Sequence, residues 1–170
     1  MPARNAGGFA RVRPIGSHPF LIHDFVAWRG LLIFSGLRPD ALASDHVIRD
    51  ADGEAGVWVG DIDDLWRLGR PTGVGGPWAD SEVEAGAPSD PYLLSAYPYR
   101  SLKASHHSSE TVEFDIQLDA TGTGHWHTWR SLSIPSGTEV GISLPPELEA
   151  YWLRAVSSAD CRATLQLSYR

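Results

Sequence analysis

From Tyr92 to Tyr169 apolar and polar residues alternate in seven short segments separated by turn-forming residues. The clearest segment places Val112, Phe114, Ile116 and Leu118 on one side and Glu113, Asp115 and Gln117 on the other, the two-residue period of a half-buried strand. The pattern predicts strands over 92–97, 101–106, 111–118, 126–134, 138–144, 151–156 and 161–169. Seven strands in this rhythm predict an all-β domain, a fibronectin- or immunoglobulin-like β-sandwich. Its inward positions are expected to be Phe114, Ile116, Leu118, Leu132, Ile134, Val140, Ile142, Trp152, Leu165 and Leu167.

Upstream, Leu21 to Ala27 and Leu31 to Ser35 flank Trp28, Arg29 and Gly30, while His46 to Arg49 and Gly56 to Gly60 flank an Asp-Gly turn at 50–53. The prediction is a double β-hairpin of the size of one propeller blade, expected to pack on the sandwich through Trp28, Trp58 and Trp66 because paired hairpins alone are marginal in water. Asp61 to Leu68 has helical spacing behind two acids and cannot run past Gly69 and Pro71. From there to Pro91 glycine and proline are dense, which reads as an ordered loop or connector. The expected organisation is a hairpin subdomain over residues 1–75 and a sandwich over 76–170.

The 170 residues, 42% of them hydrophobic, suffice for a substantial core. A net charge of −7, from 21 acidic and 14 basic residues, argues against a nucleic-acid partner, since such proteins concentrate Lys and Arg. No apolar run is long enough to span a bilayer, and no basic segment followed by an apolar stretch opens the chain; no membrane partner is expected. Cys161, the single cysteine, has no intramolecular disulfide partner and alternates with Ala163, Leu165 and Leu167 as a small core residue would.

His23 to Leu32, Val57 to Trp66, and Gly75 to Trp78 with Pro88 to Tyr92 resemble the C-terminal region of large uncharacterised bacterial proteins in which propeller-like repeats precede a β-sandwich. The resemblance covers most of the chain from about Arg13 onward. It implies a module of a longer polypeptide and transfers no catalytic residue.

The candidate chemistry lies between Trp58 and Glu84, where Asp61, Asp63, Asp64, Trp66, Arg67, Arg70, Trp78, Asp80, Glu82 and Glu84 fall close together. Indole faces stacked on sugar rings, with carboxylates and guanidinium groups on the hydroxyls, would make a carbohydrate site. Trp66, Trp78, Asp80 and Trp126 are the candidate ligand-binding residues; Trp78 and Trp126 flank glycine-rich turns, where the core has least claim on a large ring. A glycoside hydrolase would need two of the acids facing each other across a cleft.

His106, His107, His125 and His127 lack the converging spacing of a zinc site, and the turn 50–54 lacks the ligand pattern of a calcium loop. Gly73, Gly75 and Gly76 are not followed by the Lys and Ser or Thr of a phosphate-binding loop, and residues 105–110 are too close in sequence to converge as a triad. No cofactor or metal is expected. The reading is a non-catalytic module, structural or saccharide-binding, with a glycoside hydrolase and a protein-interaction module as alternatives.

Overall fold

A computed structural model describes residues 11–18, 20–37 and 44–170, arranged in two compact units. One unit is Ile15–Pro71; the other joins the segment ending at Pro14 to Thr72–Arg170. Among the described residues no helix is long and apolar enough to cross a membrane.

The Ile15–Pro71 unit is built on an antiparallel sheet of β1 (Asp24–Trp28), β2 (Leu31–Ser35), β3 (Val47–Arg49) and β4 (Gly56–Gly60). Arg29 and Gly30 join the first pair with φ of 51° and 84°, the two left-handed positions of a type I′ hairpin turn, whose twist matches that of the strands. Asp50 closes the second hairpin by accepting the Ala55 N–H on its side chain at 3.2 Å. The sheet order is β1-β2-β4-β3, so β4 lies beside β2 and the consecutive order of a propeller blade is not formed. The driving residue is Trp58. In the central position its indole is 1% exposed, stacked on Phe34 at 5.1 Å and tilted against His46 at 5.4 Å. Trp28 and Trp66, expected to be covered, are 56% and 66% exposed.

After β4 comes a single 3-10 turn, Asp63–Arg67. Asp61 Oδ1 accepts the N–H groups of Asp63 and Asp64, satisfying the donors that a helical start leaves free.

Among its described residues the second unit contains eight strands: β5 (Gly73–Val83), β6 (Tyr92–Leu93), β7 (Arg100–His106), β8 (Val112–Asp119), β9 (His127–Ile134), β10 (Glu139–Leu144), β11 (Trp152–Ser157) and β12 (Cys161–Tyr169). One sheet has the order β10-β7-β12-β5 and the other β6-β11-β8-β9. The pairs β5 with β12, β6 with β11, β7 with β10 and β8 with β9 therefore nest inside one another, as in a long hairpin rolled into two sheets. This is the eight-stranded jelly-roll arrangement. It replaces the expected seven-stranded fibronectin- or immunoglobulin-like order.

One apolar cluster joins the sheets. Phe114, Ile116, Ile134, Leu165 and Leu167 are each 0% exposed in it, with Leu118 and Leu132 nearly so; Val140 and Ile142 are partly buried against it. Trp152 departs from its expected place. Leu153, Ala155 and Ser157 are the fully buried residues of β11, so Trp152 faces the opposite side, where it is buried with Leu93 beneath Val12 and Trp126.

The additional strand is the glycine- and proline-rich segment read as a connector. β5 is an edge strand with two irregularities in its register against β12, between Ala163 and Leu165 and between Leu165 and Leu167. Edges and bulges are where a sheet tolerates proline, and Pro77 sits inside the second of these breaks, between Gly75 and Trp78. Gly76 is required by closeness: a Cβ there would lie 2.0 Å from the Leu165 carbonyl oxygen.

Candidate functional site

Nesting of the strand pairs brings the β6–β7, β8–β9 and β10–β11 connections to one end of the jelly roll. There they line a solvent-open cavity of about 510 Å³. Its wall includes Ser95 to Pro98 from the first connection, Ala120 from the second and Leu148 to Tyr151 from the third, with Arg100 at the start of β7 and Arg13 from the N-terminal segment. Loops on a rigid scaffold are the customary carriers of binding function.

Each wall is fixed by backbone chemistry. In the β8–β9 loop the Asp119 carboxylate, 2% exposed, accepts the N–H groups of Thr121, Gly122 and Thr123 on Oδ1 and that of Gly124 on Oδ2. Burial alone would push this carboxyl up; the four N–H groups outweigh it and hold the pKa below the ordinary carboxylate value. The N-terminal segment is tied across the same end, with Arg11 Nε donating to the Thr121 carbonyl at 3.1 Å and Ser95 Oγ to that of Val12 at 2.9 Å. Ala96 adopts φ of 66°, a left-handed conformation costly for a residue with a Cβ, on the cavity wall itself.

Two phenol rings contribute to the lining. Tyr97 packs on Tyr169 with centroids 4.0 Å apart, and burial raises its pKa. Tyr151 carries the guanidinium groups of Arg11 and Arg13 at 5.7 and 5.6 Å from its centroid. Arg100 is 7% exposed and donates to the carbonyls of Leu94, Pro145 and Pro146 at 3.4, 3.0 and 3.2 Å. Its Nε has no partner among the described residues. Burial lowers its pKa, but guanidinium remains protonated at neutral pH.

The four residues singled out from the sequence are not gathered into this cavity. Trp78 is 6% exposed and meets Phe114 edge-on at 5.1 Å, so its indole belongs to the core and presents no face to a ligand. The glycines beside it admit the edge strand to its neighbour. Asp80, at φ of 53° in the bulge, is held by Arg162 through two contacts of 2.6 Å, with His107 Nε2 3.6 Å away. The hydrogen bond from Arg162 keeps its carboxyl below the usual range. Trp126 is half-buried beside Trp152, with the Arg154 guanidinium 4.5 Å from its ring, and Trp66 is exposed on the Ile15–Pro71 unit.

Other candidate groups are also in use. His106 is buried with Nε2 2.8 Å from the Ile134 carbonyl, while Nδ1 accepts the Ser108 N–H. His125 Nδ1 lies 2.9 Å from Thr123 Oγ1. Asp64 accepts the Asp61 N–H and an Arg67 guanidinium N–H. Among the described residues no group of three or more His, Cys, Asp or Glu side chains could hold a metal ion.

Sequence reasoning missed Arg13, Tyr97, Arg100, Glu149 and Tyr151. Pro98 and the pair Pro145 and Pro146 mark their loops in the sequence, but only the strand order shows that those loops meet.

No protein-family model matches the chain, and no curated protein matches it. Among solved structures it is similar to PirA, at 17% identity over 58% of this chain and 84% of that one, with a TM-score of 0.33. It is also similar to the PBSX exported protein XepA, at 12% identity over 85% of this chain and 50% of that one, with a TM-score of 0.40. A third is RmlC from Streptococcus suis, solved in complex with dTDP-D-xylose: 15% identity, 89% of this chain, 72% of that one, TM-score 0.29. The chain spans half the length of XepA. Similarity at this level assigns neither a fold nor an activity.

Proposed function

We propose that the chain is a non-catalytic module of a larger bacterial protein and that its jelly-roll unit binds a saccharide at the loop end. The observation that carries this reading is the cavity itself, where the partly buried rings of Tyr97 and Tyr151 line a wall that also holds the polar side chains of Arg13 and Glu149. Among the described residues Glu149 is the only carboxylate in the lining, whereas hydrolysis of a glycosidic bond by the common mechanisms uses a pair. Three acids on which the hydrolase alternative rests have other work: Asp61 and Asp64 hold the start of the 3-10 turn, and Asp80 holds Arg162. The test is a glycan array probed with the full chain and with Tyr151→Ala. Binding by the natural chain that the variant loses supports the reading; binding that the variant retains places the site elsewhere.

One observation favours a protein-interaction role for the other unit. Register places Val26, Trp28, Leu31, Ile33, Val57, Val59 and Ile48 on one face of its sheet, and Val26, Trp28 and Ile48 are each more than half exposed. Concentration-dependent sedimentation that Trp28→Ser abolishes would support self-association through this face; a monomer at all concentrations would count against it.

A further inference from the structure

We infer that the ligand of the loop-end cavity carries an anionic group, a carboxylate on a sugar unit, which the exposed guanidinium group of Arg13 receives beside the buried positive charge of Arg100. This rests on the saccharide reading above and narrows it.

The argument starts from Arg100. A guanidinium removed from water requires compensation for its charge as well as acceptors for its N–H groups. Arg100 is 7% exposed, and its acceptors are three neutral carbonyls; among the described residues no carboxylate pairs with it and Nε has no acceptor. The carbonyls fix its position, stapling the start of β7 to the Pro145–Pro146 segment, but they leave the positive charge uncancelled. A staple alone could be made by a neutral donor. Here a full charge is held at the wall of a 510 Å³ cavity.

Arg13 adds a second charge on the same wall, its guanidinium set over the Tyr151 ring. The lining thus holds two guanidinium groups against one carboxylate, Glu149, in a chain whose net charge is −7. A local excess of one positive charge on an acidic protein suits a single anionic group. A polyanion would meet the surrounding negative field as well as Glu149. Sugar acids combine the two features this wall is equipped to meet: an apolar skeleton to lie beside Tyr97 and Tyr151, and a carboxylate for Arg13.

The experiment uses the full chain on an array that carries uronate- and sialate-containing glycans beside their carboxyl methyl esters, which keep the sugar skeleton and lose the charge. The expected result is binding to a subset of the free acids, reduced at least about tenfold by esterification, as expected for loss of a charge-assisted contact. For the acid so selected, Arg13→Gln is expected to weaken binding by about five- to tenfold without changing the melting temperature, Arg13 being exposed. Raising the salt concentration is expected to weaken the acid and leave its ester unchanged. Esters bound as tightly as acids would overturn the inference and leave the saccharide reading standing. Acid binding unaffected by Arg13→Gln would overturn the assignment to Arg13. Failure to bind any glycan, charged or neutral, would overturn both.

Discussion

Substituting Gly76 by Ala tests the edge strand that its composition conceals. The added Cβ would stand 2.0 Å from the Leu165 carbonyl oxygen, 2.7 Å from the Gln166 Cα and 2.9 Å from the Leu165 carbonyl carbon, all backbone atoms of β12. A side chain could turn aside; this backbone is held between β5 and β7, and its Leu165 and Leu167 side chains are 0% exposed in the core. Relief therefore requires β5 to move away from β12 by more than about 1 Å. Overpacking costs about 1–3 kcal/mol where side chains can shift, and a clash with fixed backbone belongs at the upper end, about 3 kcal/mol. For a unit of this size that lowers the melting temperature by roughly 12–24 °C. Gly75→Ala is the control. Its Cβ would lie 2.0 Å from Tyr92 Oη, the free end of a partly buried side chain that can rotate away, at a cost of about 1 kcal/mol. Calorimetry of both variants reads the difference directly. A Gly76→Ala transition within about 0.5 kcal/mol of the natural chain, or one less perturbed than that of Gly75→Ala, would refute the tight pairing of β5 with β12.

Three further outcomes follow from the same structure. Because hydrogen bonds from four backbone N–H groups depress the Asp119 pKa in the folded state, the stability this carboxylate provides is present above its unfolded value and is lost as pH falls through the lower folded one. Urea unfolding below about pH 4 should therefore be less pH-dependent for Asp119→Asn than for the natural chain, with the variant about 1–3 kcal/mol less stable at pH 7; parallel pH profiles would contradict this. Arg29→Asn gives the type I′ turn its preferred Asn-Gly pair and should stabilise the Ile15–Pro71 unit by about 0.5 kcal/mol, read as a higher denaturation midpoint; a lower midpoint would contradict the turn assignment. Trp78→Ala should cost about 3–5 kcal/mol in chemical denaturation; a loss below 1 kcal/mol would contradict its place in the core.

Alternation was enough to locate β8 and β12, because each sets apolar residues at every second position and polar ones between. It could not decide the facing of β11, where Trp152 and Val156 share one face while Leu153 and Ala155 share the other, so both parities look apolar. β5 was hidden for a different reason. The residues that let it lie close against β12 and bulge at a sheet edge, Gly75, Gly76 and Pro77, are the same residues that signal a loop. The cavity was beyond local patterns altogether: Tyr97, Ala120 and Tyr151 come from three connections that only the nested pairing of eight strands assembles. The glycines beside Trp78 suggest a ring the core leaves free, yet they serve the close approach of β5 to β12 and the hydrophobic effect claims the indole for the core.

The central claim, that the loop end of the jelly roll is the binding site, is tested most directly by backbone-amide NMR during titration with the acidic glycan selected on the array. The account predicts chemical-shift changes concentrated at Ser95 to Tyr97, Ala120 and Leu148 to Tyr151, the three walls of the cavity. Changes centred on Asp80, Trp126 or Trp66 while those walls stay silent would contradict it.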